Sequence, residues 1–408
     1  MSTAKEDVAH EPLPAAAADS AERSVPRPRS DGGRPPWIRL VRHALAAPLI
    51  VYTVTAVLQL VVLHLMIAPG DEGVRGKLLS WDGHWYVDVA HHGYPQGFEY
   101  NEDGSLKGST LAFFPLYPAL VRLAHGVTGL GYETAALTVS RLAGAAAAVA
   151  VFHLVLRLHG RRAALAATLL VCVQPMAVSM SMAYTEGLFL ALAAAALLAA
   201  RREAWLTAGA CGLLAGLTRS TAVAVSAALL VAAGWAMWQR RAVIRRALAG
   251  CALGSAGVPL YLLWVAGRTG RLDGWTAIQE AGWNTHWDWG TGTLRFLGDT
   301  FQRSDGWVAV STALLLIATA VGCVVAAMER TWPPLVVYGV LVFVLTVGQT
   351  NYYHSKPRLL VPALVALVPL AVALARARTR TAVLVGSALA LFGTWHGAYM
   401  LTVWHYAI

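Results

Sequence analysis

The sequence predicts an all-α fold, a polytopic bundle of transmembrane helices. Hydrophobic residues make up 57% of the chain and charged residues only 13%, and the mean hydropathy is +0.54. Soluble domains carry about 25% charge. The apolar residues also fall in runs close to the ~20 residues that cover a bilayer's hydrocarbon core. Short basic clusters separate these runs, so the formal net charge of +10 reads as a set of orientation signals and not as a nucleic-acid surface. Cys172, Cys211, Cys251 and Cys323 all lie inside apolar runs, which gives neither a disulfide framework nor a metal-ligand spacing.

Residues 1–43 are rich in Pro, Ala, Ser, Asp and Arg, lack hydrophobic periodicity and show no signal-peptide core, so they read as a disordered basic tail. Arg23, Arg27, Arg29, Arg34, Arg39 and Arg42 place it in the cytoplasm, ahead of a transmembrane domain over 44–408. Within that domain the predicted spans are Ala44–Ala68, Thr134–Leu158, Ala163–Met182, Thr185–Ala200, Ala204–Thr218, Thr221–Trp238 and Ala247–Ala266. Trp307–Met328, Pro333–Gly348, Leu359–Ala375 and Thr381–Val403 bring the total to about eleven. Pro115, Pro118, Arg122 and His125 interrupt Leu111–Leu130, which reads as a re-entrant or interfacial helix. With that segment left out, the basic clusters at 157–162, 201–202, 240–246, 330 and 376–380 all fall on one side. The expected arrangement is a multi-pass plasma-membrane protein with a cytoplasmic N-terminus. Two long loops, about 69–110 and 267–306, then face the other side, together with Glu186, Arg219 and 351–358.

Trp81-Asp82-Gly83-His84-Trp85-Tyr86 sets a carboxylate among aromatics just after the first span. Asp82 is a functional candidate because a charge beside a bilayer is costly and usually faces a cavity or a partner. It is equally placed to be a helix N-cap or a solvated residue of an aromatic belt. A helix starting near Trp81 should break at Gly93-Tyr94-Pro95, and Asp88, six residues from Asp82, is off its face. Phe113-Phe114-Pro115-Leu116-Tyr117-Pro118 suits a broken helix lining a cavity, or a kinked anchor, with Tyr117 as its titratable group. Glu186 and Arg219 sit in tight turns at one level, as functional groups or as a structural ion pair. His354, Lys356 and Arg358 are clustered on the outer side, against the positive-inside trend. Cationic donors so placed suit a phosphate, with Arg as a bidentate fork and Lys as a point charge, or anionic headgroups in general.

These groups fit a transferase whose sugar donor is anchored by a polyprenyl phosphate. Asp82 would act as general base on an acceptor hydroxyl in a single inverting displacement. Lys356, Arg358 and Arg219 would neutralise the leaving phosphate without a metal or other cofactor, although a divalent cation stays open. Trp81, His84, Tyr86, Tyr117, Glu186 and His354 complete the expected substrate-binding set.

Trp81-Asp82-Gly83-x-Trp85-Tyr86, Ala90-x-x-Gly93-Tyr94, Ala112-Phe113-Phe114-Pro115-Leu116-Tyr117-Pro118, Tyr184-Thr185-Glu186, Thr218-Arg219-Ser220 and Ser355-Lys356-Pro357-Arg358 follow one another in this order. Together they resemble the PIG-V family of membrane mannosyltransferases. The resemblance implies the C-type glycosyltransferase fold, a dolichyl- or polyprenyl-phosphate-mannose donor, an α-mannosyl product and Asp82 as the acid of the first outer loop. Eukaryotic members often carry His where Trp85 stands, so His84 is a candidate of this sequence and not of the family. The Ala- and Arg-rich composition and short loops suggest a bacterial, actinobacterial member, which leaves the acceptor open: glycolipid, glycan or protein. Two other readings remain: a transporter or flippase for lipid-linked or anionic solutes, and a same-fold transferase of another sugar. Transporter folds often show repeats with paired broken helices, and none is visible here.

Overall fold

The computed structural model describes residues 36–408, and His43–Ile408 form one compact unit. Most of the predicted tail, 1–35, lies outside the described residues. Helix α1 spans Pro36–Met66 and so begins inside the segment read as tail. Two short helices follow, α2 (Val74–Leu79) and α3 (Asp82–His92), then α4 (Leu116–Thr128) and the long α5 (Tyr132–Val173). The centre of the chain contributes α6 (Glu186–Arg201), α7 (Trp205–Gly216), α8 (Val223–Arg240), α9 (Arg245–Ser255) and α10 (Gly257–Thr269). The second outer loop holds α11 (Gly274–Trp283) and α12 (Thr291–Arg303). Last come α13 (Trp307–Met328), α14 (Pro333–Val347), α15 (Lys356–Leu359), α16 (Val368–Arg376) and α17 (Thr379–Thr402). Among the described residues there is no strand, only isolated bridges such as Trp287 with Gln349.

Six of these segments are long and apolar enough to cross a membrane, or seven if the bent pair Tyr353–Leu359 and Leu364–Arg376 counts as one. The other predicted spans are helical but short. Helix α7 has 12 residues and α14 has 15, about 18 and 22 Å at 1.5 Å per residue against a core of about 30 Å. Helix α6 is buried along most of its length, so its apolar surface meets protein on nearly every side. Helix α5 would be about 63 Å long if straight. Gly160, at φ +81°, breaks it between the two predicted runs, where Arg157, Arg161 and Arg162 cluster. Its second arm stops at Val173, ahead of Pro175, and 174–185 continues as buried turns where a helix to Met182 was expected. The 79° bend before α16 follows from Pro362, which has no N–H to continue the ladder.

Leu111–Leu130 resolves as α4, 13 residues or about 20 Å, with Tyr117, Pro118 and Val121 buried and Leu123 and Val127 outward. Helix α4 is thus amphipathic and shorter than a bilayer's hydrocarbon core of about 30 Å.

Helices α7 and α9 pack through glycines at Gly209, Gly212, Gly250 and Gly254, the small-residue contact that lets membrane helices approach closely. A Cβ on Gly250 would meet the Trp205 carbonyl oxygen. Gly250→Val is expected to lower stability by about 1–3 kcal/mol through overpacking. A thermal-unfolding midpoint equal to wild type in detergent would contradict that contact.

Candidate active site

Three backbone and side-chain ties bring the acid of the first outer loop to the centre of the bundle. Ala183 donates its N–H to Leu78 O at 2.9 Å, Tyr184 Oη donates to Ser80 O at 3.3 Å, and Leu116 N–H donates to Leu217 O at 2.9 Å. Trp81 is held at φ +54°, ψ −115°, a conformation that costs a bulky residue of order 1–3 kcal/mol and points to function when it stands beside a candidate site. Asp82 is therefore the first residue of α3 and not its N-cap. Its carboxylate leaves the helix and meets Arg358.

Four charged side chains form one chain of contacts. Arg358 Nη1 donates to Asp82 Oδ2 at 2.6 Å, Arg358 Nε lies 3.6 Å from Glu186 Oε1, and Arg219 Nη1 donates to the same Oε1 at 2.7 Å. Glu186 is 2% exposed, and its Oε2 has no partner. The Arg358 guanidinium lies over the Tyr184 ring at 4.7 Å. With two carboxylates and two guanidinium groups the network is neutral, and each buried charge has the partner that makes its burial tolerable. Asp82 and Arg219 stand at its two ends.

The network lines a cavity of about 200 Å³. Among the described residues the charged side chains on its wall are these four, and the remainder is aromatic, hydroxyl or amide, with Ala112, Leu359, Ala407 and Ile408 as aliphatic members. Tyr86 is on the wall, with its ring edge-on to Phe113 at 4.9 Å and its hydroxyl 3.4 Å from Thr185 Oγ1. Burial pushes its phenol well above the usual range, so it stays a neutral hydrogen-bonding group. Ser220 and Thr221, also on the wall, begin the tight turn that leads into α8; Ala222 and Val223 N–H are bonded to Arg219 O and Ser220 O, and the helix dipole favours an anion at this end.

Of the residues expected at the site, Asp82, Tyr86, Glu186, Arg219 and Arg358 face the cavity, and five others do not. His84 is exposed on the opposite side of α3, and Trp81 supports the turn before it without reaching the wall. Tyr117 is fully buried one row behind Tyr86, bonded to Ala136 O at 2.9 Å and Ser140 Oγ at 2.7 Å, so it anchors α4 to α5. His354 packs between Tyr353 and Trp404. Lys356, expected to meet phosphate, donates through Nζ to Thr346 O and Gln349 O, both at 2.9 Å. The physical reason is helical register: Ser355, Arg358 and Leu359 share the face toward the cavity, and 354, 356 and 357 turn away. Lys356→Met is accordingly expected to cost about 1.5–3 kcal/mol of stability, the worth of hydrogen bonds from a charged donor, with the donor KM unchanged. A raised KM at unchanged melting temperature would restore the phosphate role.

The second outer loop adds residues that no motif singled out: Trp275, Gln279, Trp283 and Thr285, with Gln349 and Asn351 beside them. Four tryptophans between 275 and 289 were a visible signal, but without a spacing that assigns them. Among the described residues no group of three or more His, Cys, Asp or Glu could hold a metal ion.

Comparison with known proteins bears on this arrangement. The family model "Mannosyltransferase (PIG-V)" matches residues 46–244, just under half of the chain. GPI alpha-1,6-mannosyltransferase 2 of Mus musculus is 35% identical over 128 residues, covering 29% of this chain and 24% of the mouse protein. Apo ArnT of Cupriavidus metallidurans superposes with a TM-score of 0.52 at 18% identity, over 84% of this chain and 61% of ArnT. ArnT bound to undecaprenyl phosphate gives 0.51 at 17% identity, over 84% and 62%. The apo oligosaccharyltransferase of Archaeoglobus fulgidus gives 0.53 at 13% identity, over 87% and 56%. The chain thus spans about a quarter of the mouse relative and about three fifths of the solved chains, which share its C-type glycosyltransferase fold.

Proposed function

We propose that the chain, whose residues 46–244 match the PIG-V mannosyltransferase family model, is a member of that family and transfers mannose from a polyprenyl-phosphate-linked donor to an acceptor hydroxyl. The observation that carries this reading is the linear ion network, with a carboxylate at one end and a guanidinium at the mouth of a helix N-terminus at the other. An inverting displacement needs a base on one side of the anomeric carbon and a phosphate site on the other.

In this reading Asp82 keeps Oδ2 on Arg358 and offers Oδ1 to the acceptor hydroxyl. As the acceptor oxygen bonds to the anomeric carbon, its proton passes to Asp82. The bond from that carbon to the phosphate oxygen breaks, and the electron pair stays on the lipid phosphate. Arg219 and the Ser220 and Thr221 hydroxyls, at the positive end of the α8 dipole, stabilise that charge in place of Lys356. Arg358 then positions the base more than it holds the phosphate. The undecaprenyl phosphate held by a protein of the same fold supports a lipid-phosphate donor. The positive-inside distribution supports a reaction on the non-cytoplasmic face of the plasma membrane.

The test is transfer of labelled mannose from polyprenyl-phosphate-mannose to extracted lipids, glycans and proteins by membranes with and without this chain. Label that moves only with the chain sustains the reading. Donor that survives unconsumed in both overturns it.

A further inference from the structure

Helix α12 (Thr291–Arg303) is inverted relative to a helix that packs on a core in water. Its buried positions include Thr293 and Thr300, while Leu294 is 70% exposed and Phe301 56%. We infer that α12 is a foot on the lipid surface: its outward apolar face sits among lipid chains at the edge of the bilayer, and its polar side lies at headgroup level. The inference does not depend on the transfer reading.

At about 100° per residue the side chains of α12 fall into three sectors. Thr293, Phe296 and Thr300 face the protein. Arg295, Asp299, Gln302 and Arg303 share the next sector, and all are exposed. Leu294, Leu297, Gly298 and Phe301 fill the third, an arc of about 100°, the width of stripe that a helix ordinarily turns toward a core. A helix with separate protein, polar and apolar sectors suits a boundary where protein, water and lipid meet. Trp289, 83% exposed, stands just before α12 and Trp307 just after it, so tryptophans bracket the apolar arc.

The occupant is lipid because the arc adjoins a surface that lipid must cover. Helix α13 has 22 residues, about 33 Å, which leaves almost no slack over a hydrocarbon core of about 30 Å. Its first residue, Trp307, must then stand at the edge of that core. Ser304, Asp305 and Gly306 alone separate it from α12, which packs back against α13. Further along, α13 exposes Leu314, Ile317, Val321 and Val324, and a bilayer that covers them reaches Trp307 and the helix packed beside it. Helix α12 cannot itself cross, being 13 residues, about 20 Å, with Arg295, Asp299 and Arg303 within it. Residues 1–35 offer Met1, Val8, Leu13 and Val25 as large apolar side chains, too widely spaced to cover the arc.

The seat reaches the candidate site through the inward sector. Thr293 Oγ1 donates to Val347 O at 2.7 Å, and Phe296 stacks on Tyr353 at 4.5 Å. The Asp288 carboxylate accepts from Gly290 and Gly292 N–H, at 2.9 and 2.6 Å, and Asp288 donates its own N–H to Gly348 O at 3.0 Å. The connection 347–353, which carries Gln349 and Asn351 of the cavity wall, is therefore fastened to α12. A helix seated on lipid fixes the height of that wall against the headgroups.

The test uses the full chain in phosphatidylcholine nanodiscs, spin-labelled at Leu294→Cys, Phe301→Cys, Arg295→Cys or Asp299→Cys, with the signal of the identically treated parent chain subtracted. Oxygen, which concentrates in lipid, is expected to relax the labels at 294 and 301 more than a water-soluble nickel chelate does, and the order is expected to reverse at 295 and 299. Greater relaxation by nickel at all four positions would mean an aqueous surface and overturn the seat. Labels at 294 and 301 that neither reagent reaches would overturn it too, because a second copy or another protein then covers the arc. Where a labelled variant fails to fold, the wild-type chain answers through a bilayer-soluble aryl diazirine: photolabel on the 287–303 peptide as well as on α13 supports the seat, and photolabel on α13 alone overturns it.

Discussion

Asp82→Asn is expected to lower kcat by about 10²–10⁴, the usual worth of a positioned general base, with the donor KM within a few-fold of wild type. The substitution keeps shape and leaves an amide oxygen to accept from Arg358 Nη1, so the 2.6 Å contact can survive as a neutral hydrogen bond. What it removes is the capacity to take the acceptor's proton. Stability should change little, because Arg358 retains Glu186 as a second anionic neighbour at 3.6 Å. Single-turnover transfer, donor KM and melting temperature together check this. A kcat within a few-fold of wild type would remove Asp82 from the chemistry. A collapse in melting temperature would show instead that the Asp82–Arg358 pair is needed to fold.

How far such a site could be read from sequence depends on the kind of signal each residue gives. Asp82, Glu186, Arg219 and Arg358 stood out because charge in apolar surroundings is costly, and that rule needs no knowledge of the fold. The pairing between Glu186 and Arg219 followed from their matching depth. The link from Arg358 to Asp82, 276 positions apart, did not. It depends on how the bend after α15 meets the turn at Trp81. Lys356 and His354 were indistinguishable from Arg358 by composition, and only helical register separates them. The apolar runs mostly became helices, because hydropathy reports burial well. It does not say whether lipid or protein covers the surface, so α6, α7 and α14 read as crossings although each is shorter than a bilayer core. The α11 wall was illegible for the opposite reason: its side chains are neutral, and neutral amides and rings carry meaning only by position.

Glu186→Gln is the other change with a large expected effect, because Glu186 touches both guanidinium groups. Its loss turns a neutral four-group network into one of net charge +1. Anion binding should hold or tighten, so the donor KM stays level or falls. Arg358 at the same time loses the neighbour opposite Asp82, and the base is no longer held in register with the phosphate site. A kcat lower by about 10² is expected, the order seen when a reacting group is misplaced by about an ångström. The stability cost should be about 1–3 kcal/mol, since Gln keeps an oxygen for Arg219 Nη1. Glu186→Leu, which strands Arg219 and leaves Arg358 with Asp82 alone, should cost about 3–5 kcal/mol. The split between KM and kcat separates the two roles this carboxylate can have. A pair that only holds α6 against α8 would lower the melting temperature and leave kcat per folded enzyme unchanged. A carboxylate that keeps Arg358 and Asp82 aligned lowers kcat while donor binding survives.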